Sequence, residues 1–302
     1  MKTASTALLL AGFVLFSNGT NAAEPLVNAA WVKAQIGKPG VAFLDVRPTR
    51  EAYAAGHVPG AVYSDYVKDG WRVERNGVPG ELPETDKVEG LFGRLGIDNG
   101  AHVVLLPGGF NSTEMAAATR IYWTFKIMGH DAVSILNGGM AAYAADKQNP
   151  LEPGIRAPEP KVFKASPRWD LLAHVPDVEK ALGTRLLLDH RPNDQFIGVN
   201  KSSSVKLHGT IPGAVNLPTS WTTEDDGGLF RDPATLRALY KAAGAPTEGP
   251  VINFCNTGHW ASLGWFISHE LLGNKDAKLY DGSMAEWAMS PARPVEQKIK
   301  TP

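Results

Sequence analysis

One cysteine, Cys255, stands in a chain of 302 residues. No internal disulfide can form, so the thiol is either a small buried hydrophobe or a reactive group. Charge of one sign is missing too. Thirty Lys and Arg face thirty-one Asp and Glu, which excludes the basic pattern of a nucleic-acid binder or of a protein held on an anionic membrane. Beyond Phe16 no apolar run is long enough to cross a bilayer. His269-Glu270-Leu271-Leu272-Gly273 lacks the second histidine of a zinc-hydrolase helix, and the other histidines are scattered, as surface or loop residues would be. No metal and no cofactor are expected.

Lys2 precedes an apolar run from Ala7 to Phe16, followed by small and polar residues to Ala23. This is the pattern of a secretory signal peptide over residues 1–23, its apolar run too short to span a bilayer as a stable helix. The expectation is an exported protein, periplasmic in a Gram-negative cell. Exported proteins tend to pair their cysteines as disulfides, so a single thiol there points to use.

Cys255 follows the apolar run Val251–Phe254 and opens the turn Asn256-Thr257-Gly258-His259-Trp260, ahead of a helix-like stretch from Ala261 to Leu272. A strand that delivers a thiol to a helix start aims backbone N–H groups at the sulfur, and these favour the thiolate.

The chain also repeats itself. Leu44-Asp45-Val46-Arg47-Pro48 returns 144 positions later as Leu188-Asp189-His190-Arg191-Pro192. Val58-Pro59-Gly60-Ala61 returns as Ile211-Pro212-Gly213-Ala214, and Leu136-Asn137-Gly138-Gly139-Met140 as Tyr280-Asp281-Gly282-Ser283-Met284. Residues 24–148 and 168–302 are therefore read as two copies of one domain, joined by a stiff proline-rich linker over 149–167. In each copy short apolar strands (Val41–Val46, His102–Leu106 and Val133–Leu136; Leu186–Leu188, Val251–Phe254 and Ala277–Tyr280) alternate with helices at Glu114–Met128, Pro233–Ala243 and Ala261–Leu272. That alternation predicts an α/β fold, each domain a mostly parallel sheet with helices on both faces. Ligands of such sheets lie beyond the carboxyl ends of the strands, where Cys255 falls.

The duplication separates structure from chemistry. The Asp-x-Arg pairs occur in both halves and read as local anchors. Cys255 has only Pro107 as its counterpart, so the second half carries the nucleophile and the first reads as scaffold. Arg72 and Arg75, in the loop from Trp71 to Pro83, could reach a cleft between the domains, but an ordinary surface role is the better reading.

In their order and duplication these motifs resemble the tandem-domain rhodanese family, the thiosulfate and 3-mercaptopyruvate sulfurtransferases. The resemblance covers nearly the whole chain after residue 23 and implies two rhodanese-like domains, of which 168–302 is catalytic. It implies that Cys255 takes sulfane sulfur from a small donor such as thiosulfate and passes it, as a persulfide, to cyanide, a thiol or a protein acceptor. Asn256, Thr257, Gly258, His259 and Trp260 would surround that sulfur with loop N–H groups. The cations that family members place in the loop are absent, and an arginine expected after the second Asp-x-Arg is Gln195. Candidate substrate contacts are His259, as hydrogen-bond donor or as a cation at low pH, with Gln195, Lys206 and Arg191. In mercaptopyruvate-type relatives a loop hydroxyl and a first-domain histidine form a proton relay, which would map to Thr257 and His57. A cysteine phosphatase needs an arginine closing the loop, and none follows Cys255 before Arg293. A persulfide carrier without turnover, or a binding module, is the alternative of another class.

Overall fold

The computed structural model describes residues 23–184 and 186–299. The expected export signal, except Ala23, lies outside the described residues. Two five-stranded sheets are present, and every strand pairing within them is parallel. In the first sheet the spatial order is Leu26–Val27, Val133–Leu136, His102–Leu106, Val41–Asp45, Val62–Tyr63. The second repeats it with Leu172–Ala173, Ala277–Tyr280, Val251–Phe254, Leu187–Asp189, Val215–Asn216. Val251–Phe254 is thus a central strand, and the turn after it leaves the carboxyl edge of the sheet.

Each sheet is buried on both faces, because alternate side chains of a strand point to opposite sides. In the first half, Phe43, Val104, Leu106 and Leu136 pack with Val32, Tyr53 and Tyr143 on one side. Leu44, Val103, Leu105 and Ile135 pack on the other with Phe92, Ile121 and Phe125. That second layer runs on, without a break, into Leu188, Val251, Leu263, Trp265 and Leu279 of the second half. The two halves therefore share one core along their facing sides.

At its centre the helix Ser112–Ile127 packs against the helix His259–Phe266. Small residues let them approach: Ser262 Oγ meets Thr119 Oγ1 at 3.0 Å and donates to the Ala116 carbonyl at 3.2 Å. Tyr122 sits edge-on to Phe266, 4.9 Å between ring centroids. Burying aromatic side chains of this kind is worth about 1.5–3 kcal/mol each, so this contact largely fixes how the halves meet. The second helix differs from the sequence expectation. It begins at His259, and its last turn, Ile267–Leu271, is a π-turn closed by the Leu272 N–H on the Ile267 carbonyl at 2.8 Å.

The repeat extends to the ends of the domains. His57 and Glu152 exchange backbone hydrogen bonds at 3.0 and 2.8 Å, as do Thr210 and Glu296 at 2.9 and 2.8 Å. The stretch 149–167 is without helices and lies along the first half, with Phe163 buried against Phe92.

Candidate active site

The loop from Cys255 is held from the next strand's end. Met284 N–H donates to the Cys255 carbonyl at 3.1 Å, and Ala285 N–H to that of Asn256 at 2.9 Å. The first half builds the same frame, with Met140 N–H on Pro107 O and Ala141 N–H on Gly108 O. Gly258 has a φ of +76 and precedes the helix. A Cβ there would collide with Asp281 and Arg120, so this position needs glycine on two counts.

One contact has no first-half counterpart. Ser283 Oγ accepts the N–H groups of Cys255 and Gly258, each at 3.1 Å, and donates to the Tyr280 carbonyl at 2.8 Å. Gly139 occupies the equivalent place. The Gly258 N–H, expected to face the sulfur, is therefore engaged elsewhere. Among the described residues, Asn256, Thr257, His259 and Trp260 keep backbone N–H groups with no protein acceptor. Cys255 itself is only 1% exposed.

The largest departure from the sequence reading is that the first half is more than scaffold. Arg72, expected at the surface, reaches across: its Nη2 donates to the carbonyl of Thr257 and, at 2.9 Å, to Thr257 Oγ1. Its Nε donates to Gly80 O at 2.9 Å. Arg120, fully buried on the helix Ser112–Ile127, pairs with Asp281 directly under Gly258. Burial works against the Arg120 charge, but Asp281, then Tyr66 and Cys255, hold it above the usual arginine range. No sequence repeat could flag these residues, since their partners lie across the domain interface. Arg75, by contrast, makes surface pairs with Glu81 and Glu84, as expected.

His259 is not a cation. Its Nε2 donates to the Thr113 carbonyl at 3.1 Å, which leaves Nδ1 to accept from the Tyr66 hydroxyl at 2.9 Å. Burial, with Arg72 and Arg120 nearby, lowers it to about 3, so it stays neutral. Trp260 donates from Nε1 to Thr113 Oγ1 at 3.1 Å and packs at the interface. Gln195 holds the loop: its Oε1 accepts from Asn256 Nδ2 at 2.9 Å.

Arg191 is held within the fold, with only its buried Nη1 left without a partner among the described residues. Its Nε and Nη2 are taken by Asp189 and the Gly209 carbonyl, and the side chain is wholly buried, just as Arg47 is held by Asp45 and Gly56. Lys206 is exposed and makes no hydrogen bond or ion pair to the loop. The relay through His57 is not assembled: His57 is buried, stacked on Tyr53 at 4.0 Å, and Thr257 bonds to Arg72 instead. His57, His130, His190 and His269 are buried and not at the surface, although all but His269 lie outside the helices and named strands, as loop residues would.

Beside the loop a cleft of about 370 Å³ opens between the halves, lined by Val46, Tyr66, Val67, Arg72, Thr257 and His259 among others. No described helix is long and apolar enough to cross a membrane.

The family model for a rhodanese-like domain matches twice, over residues 28–146 and 174–290. A protein of Haloferax volcanii named "Putative thiosulfate sulfurtransferase" is 34% identical over 293 residues, covering 93% of this chain and 99% of that one. The sulfur carrier protein TtuD of Thermus thermophilus is 30% identical over 278 residues, 87% of this chain and 93% of its own. Among solved structures, SseA from Escherichia coli, described as a 3-mercaptopyruvate sulfotransferase, superposes with a TM-score of 0.74 at 26% identity, over 86% of this chain and 99% of that one.

Proposed function

The chain belongs to the rhodanese family, as two rhodanese-like domains in tandem, and we propose that Cys255 carries its sulfur-transfer chemistry. The chain is a sulfurtransferase of the thiosulfate type. The Cys255 thiolate attacks the outer sulfur of thiosulfate. A sulfur–sulfur bond forms as the one in the donor breaks, and sulfite leaves with the electron pair. The product is a Cys255 persulfide anion. An acceptor such as cyanide then attacks the outer sulfur, giving thiocyanate and restoring the thiolate.

The observation that carries this reading is the loop itself. The lone thiol opens a loop at a helix start in which the N–H groups of Asn256, Thr257, His259 and Trp260 have no protein acceptor among the described residues, with Arg120 beneath Gly258. Such donors are fixed before the charge arrives, which is what stabilises an anionic sulfur without reorganisation. Burial of Cys255 favours small donors and acceptors over a protein's thiol. The apolar run Ala7–Phe16 supports export to the periplasm, tested by the amino-terminal sequence of the mature protein.

Intact mass after brief exposure to thiosulfate is the test, with Cys255→Ser as control. One added sulfur atom, lost to cyanide over many cycles, is the expected result, and Cys255→Ser should gain none. Loading from 3-mercaptopyruvate alone would move the donor assignment to that class. A persulfide that discharges only to a protein would make the chain a carrier. No uptake from either donor removes the sulfur-transfer role of Cys255.

A further inference from the structure

Thiosulfate carries two negative charges, and a site that binds it needs a cation with free donors. The described residues near the loop offer few. Arg120 is fully buried and neutralised by Asp281. Arg191 is buried against Asp189. Arg75 is paired with Glu81 and Glu84, and Lys68 lies 3.5 Å from Asp65. Gln195, at the position where the resemblance implies a cation, is neutral and engaged with Asn256.

Arg72 is different on every count. It has no carboxylate partner among the described residues, and its Nε and Nη2 donate only to neutral oxygens of Gly80 and Thr257. Its Nη1 donates to no protein acceptor among those residues and is not buried. The guanidinium lines the cleft next to Thr257 and His259, with the Tyr66 ring beside it at 5.8 Å. It is held flat against Gly80, whose φ of +87 and missing Cβ make the room: any Cβ there would collide with the guanidinium.

We propose that Arg72, supplied by the non-catalytic domain, is the specificity-determining cation that grips the anionic end of the sulfur donor through Nη1. The two contacts to Thr257 fix the fork relative to the loop that Cys255 opens. The assignment rests on Cys255 as the sulfur-accepting nucleophile. It makes charge on the donor, rather than its size, the quantity this site discriminates.

The experiment compares two sulfane donors of similar bulk, thiosulfate with two charges and methanethiosulfonate with one, on the full chain. Arg72→Gln should lower kcat/KM for thiosulfate by about 10- to 100-fold, the range of a lost charge-assisted hydrogen bond. The loss should fall on KM, and methanethiosulfonate should lose much less. Arg72→Lys, which keeps the charge but not the fork, should recover part of the thiosulfate activity. Equal losses for the two donors would mean that Arg72 only shapes the loop, and would overturn the proposal, as would no loss at all. A wild-type protein that takes sulfur from neither donor would instead remove the nucleophile assignment on which the proposal rests.

Discussion

Ser283 shows what the catalytic half requires of a single residue. Its φ is +51, the left-handed region, where the first half has Gly139 at +59. A side chain held there costs roughly 1 kcal/mol or more. What offsets the cost is Oγ, which accepts the Cys255 and Gly258 N–H groups. The two effects can be separated by substitution. Ser283→Gly relieves the backbone but frees the loop, so thermal stability should change little while the rate of sulfur loading falls, about 10-fold if loop geometry is worth one hydrogen bond. Ser283→Ala keeps the strain and leaves two buried donors unpaired, and should cost about 1–3 kcal/mol in chemical denaturation. If Ser283→Gly loads sulfur at the wild-type rate, Ser283 does not set the loop. The internal repeat aligned serine with glycine, so this position was legible in the sequence. Its cause was not, because a backbone φ cannot be read from a residue name.

At the scale of elements, the sequence revealed the strands that are buried on both faces. Val251–Phe254, His102–Leu106 and Ala277–Tyr280 stand where continuous apolar runs place them. The edge strands Leu26–Val27, Val62–Tyr63, Leu172–Ala173 and Val215–Asn216 are not legible in the sequence, since two residues carry no period. The hairpin of Val73–Arg75 with Val78–Glu81 is short as well, and it is the element that sets Gly80 under Arg72. Helix packing holds a testable point. Gly264 faces His190, whose ring is fixed by the Leu217 carbonyl at 3.0 Å and Asn253 Oδ1 at 2.8 Å. A Cβ on Gly264 would collide with that ring. Gly264→Ala would normally favour a helix by about 1 kcal/mol. Here it should destabilise by about 1–3 kcal/mol, because the buried ring cannot move without losing its bonds. A variant as stable as wild type in urea would show that the ring gives way freely.

Across the whole molecule, the halves are joined by charge as well as by the shared core. Behind the aromatic contact, Lys126, Asp131 and Arg168 meet His269, Glu270 and Lys275. The π-turn Ile267–Leu271 carries His269 and Glu270 to that meeting, and the His269 ring stacks on Trp265 at 4.7 Å. Burial alone would raise the Glu270 carboxyl. The hydrogen bond from His269 at 2.7 Å and the charges of Lys126 and Lys275 outweigh it and lower the group to about 2, against an ordinary value of 4.5. A depressed carboxyl means that the unfolded chain binds its proton first as pH falls. The stabilisation is therefore fully present above about pH 4.5 and is lost progressively towards pH 2, with a total on the order of 3 kcal/mol. Glu270→Gln removes that titration but leaves Lys126 with Asp131 alone. At pH 7 it should be less stable than wild type by about 1–3 kcal/mol, and the gap should narrow as both proteins are taken from pH 5 to pH 3. Urea denaturation at each pH measures it, on a chain whose continuous core leads to one unfolding transition for both halves. A gap that stays constant over that interval would place the Glu270 contribution in packing, and the charges between the halves would then have no part in holding them together.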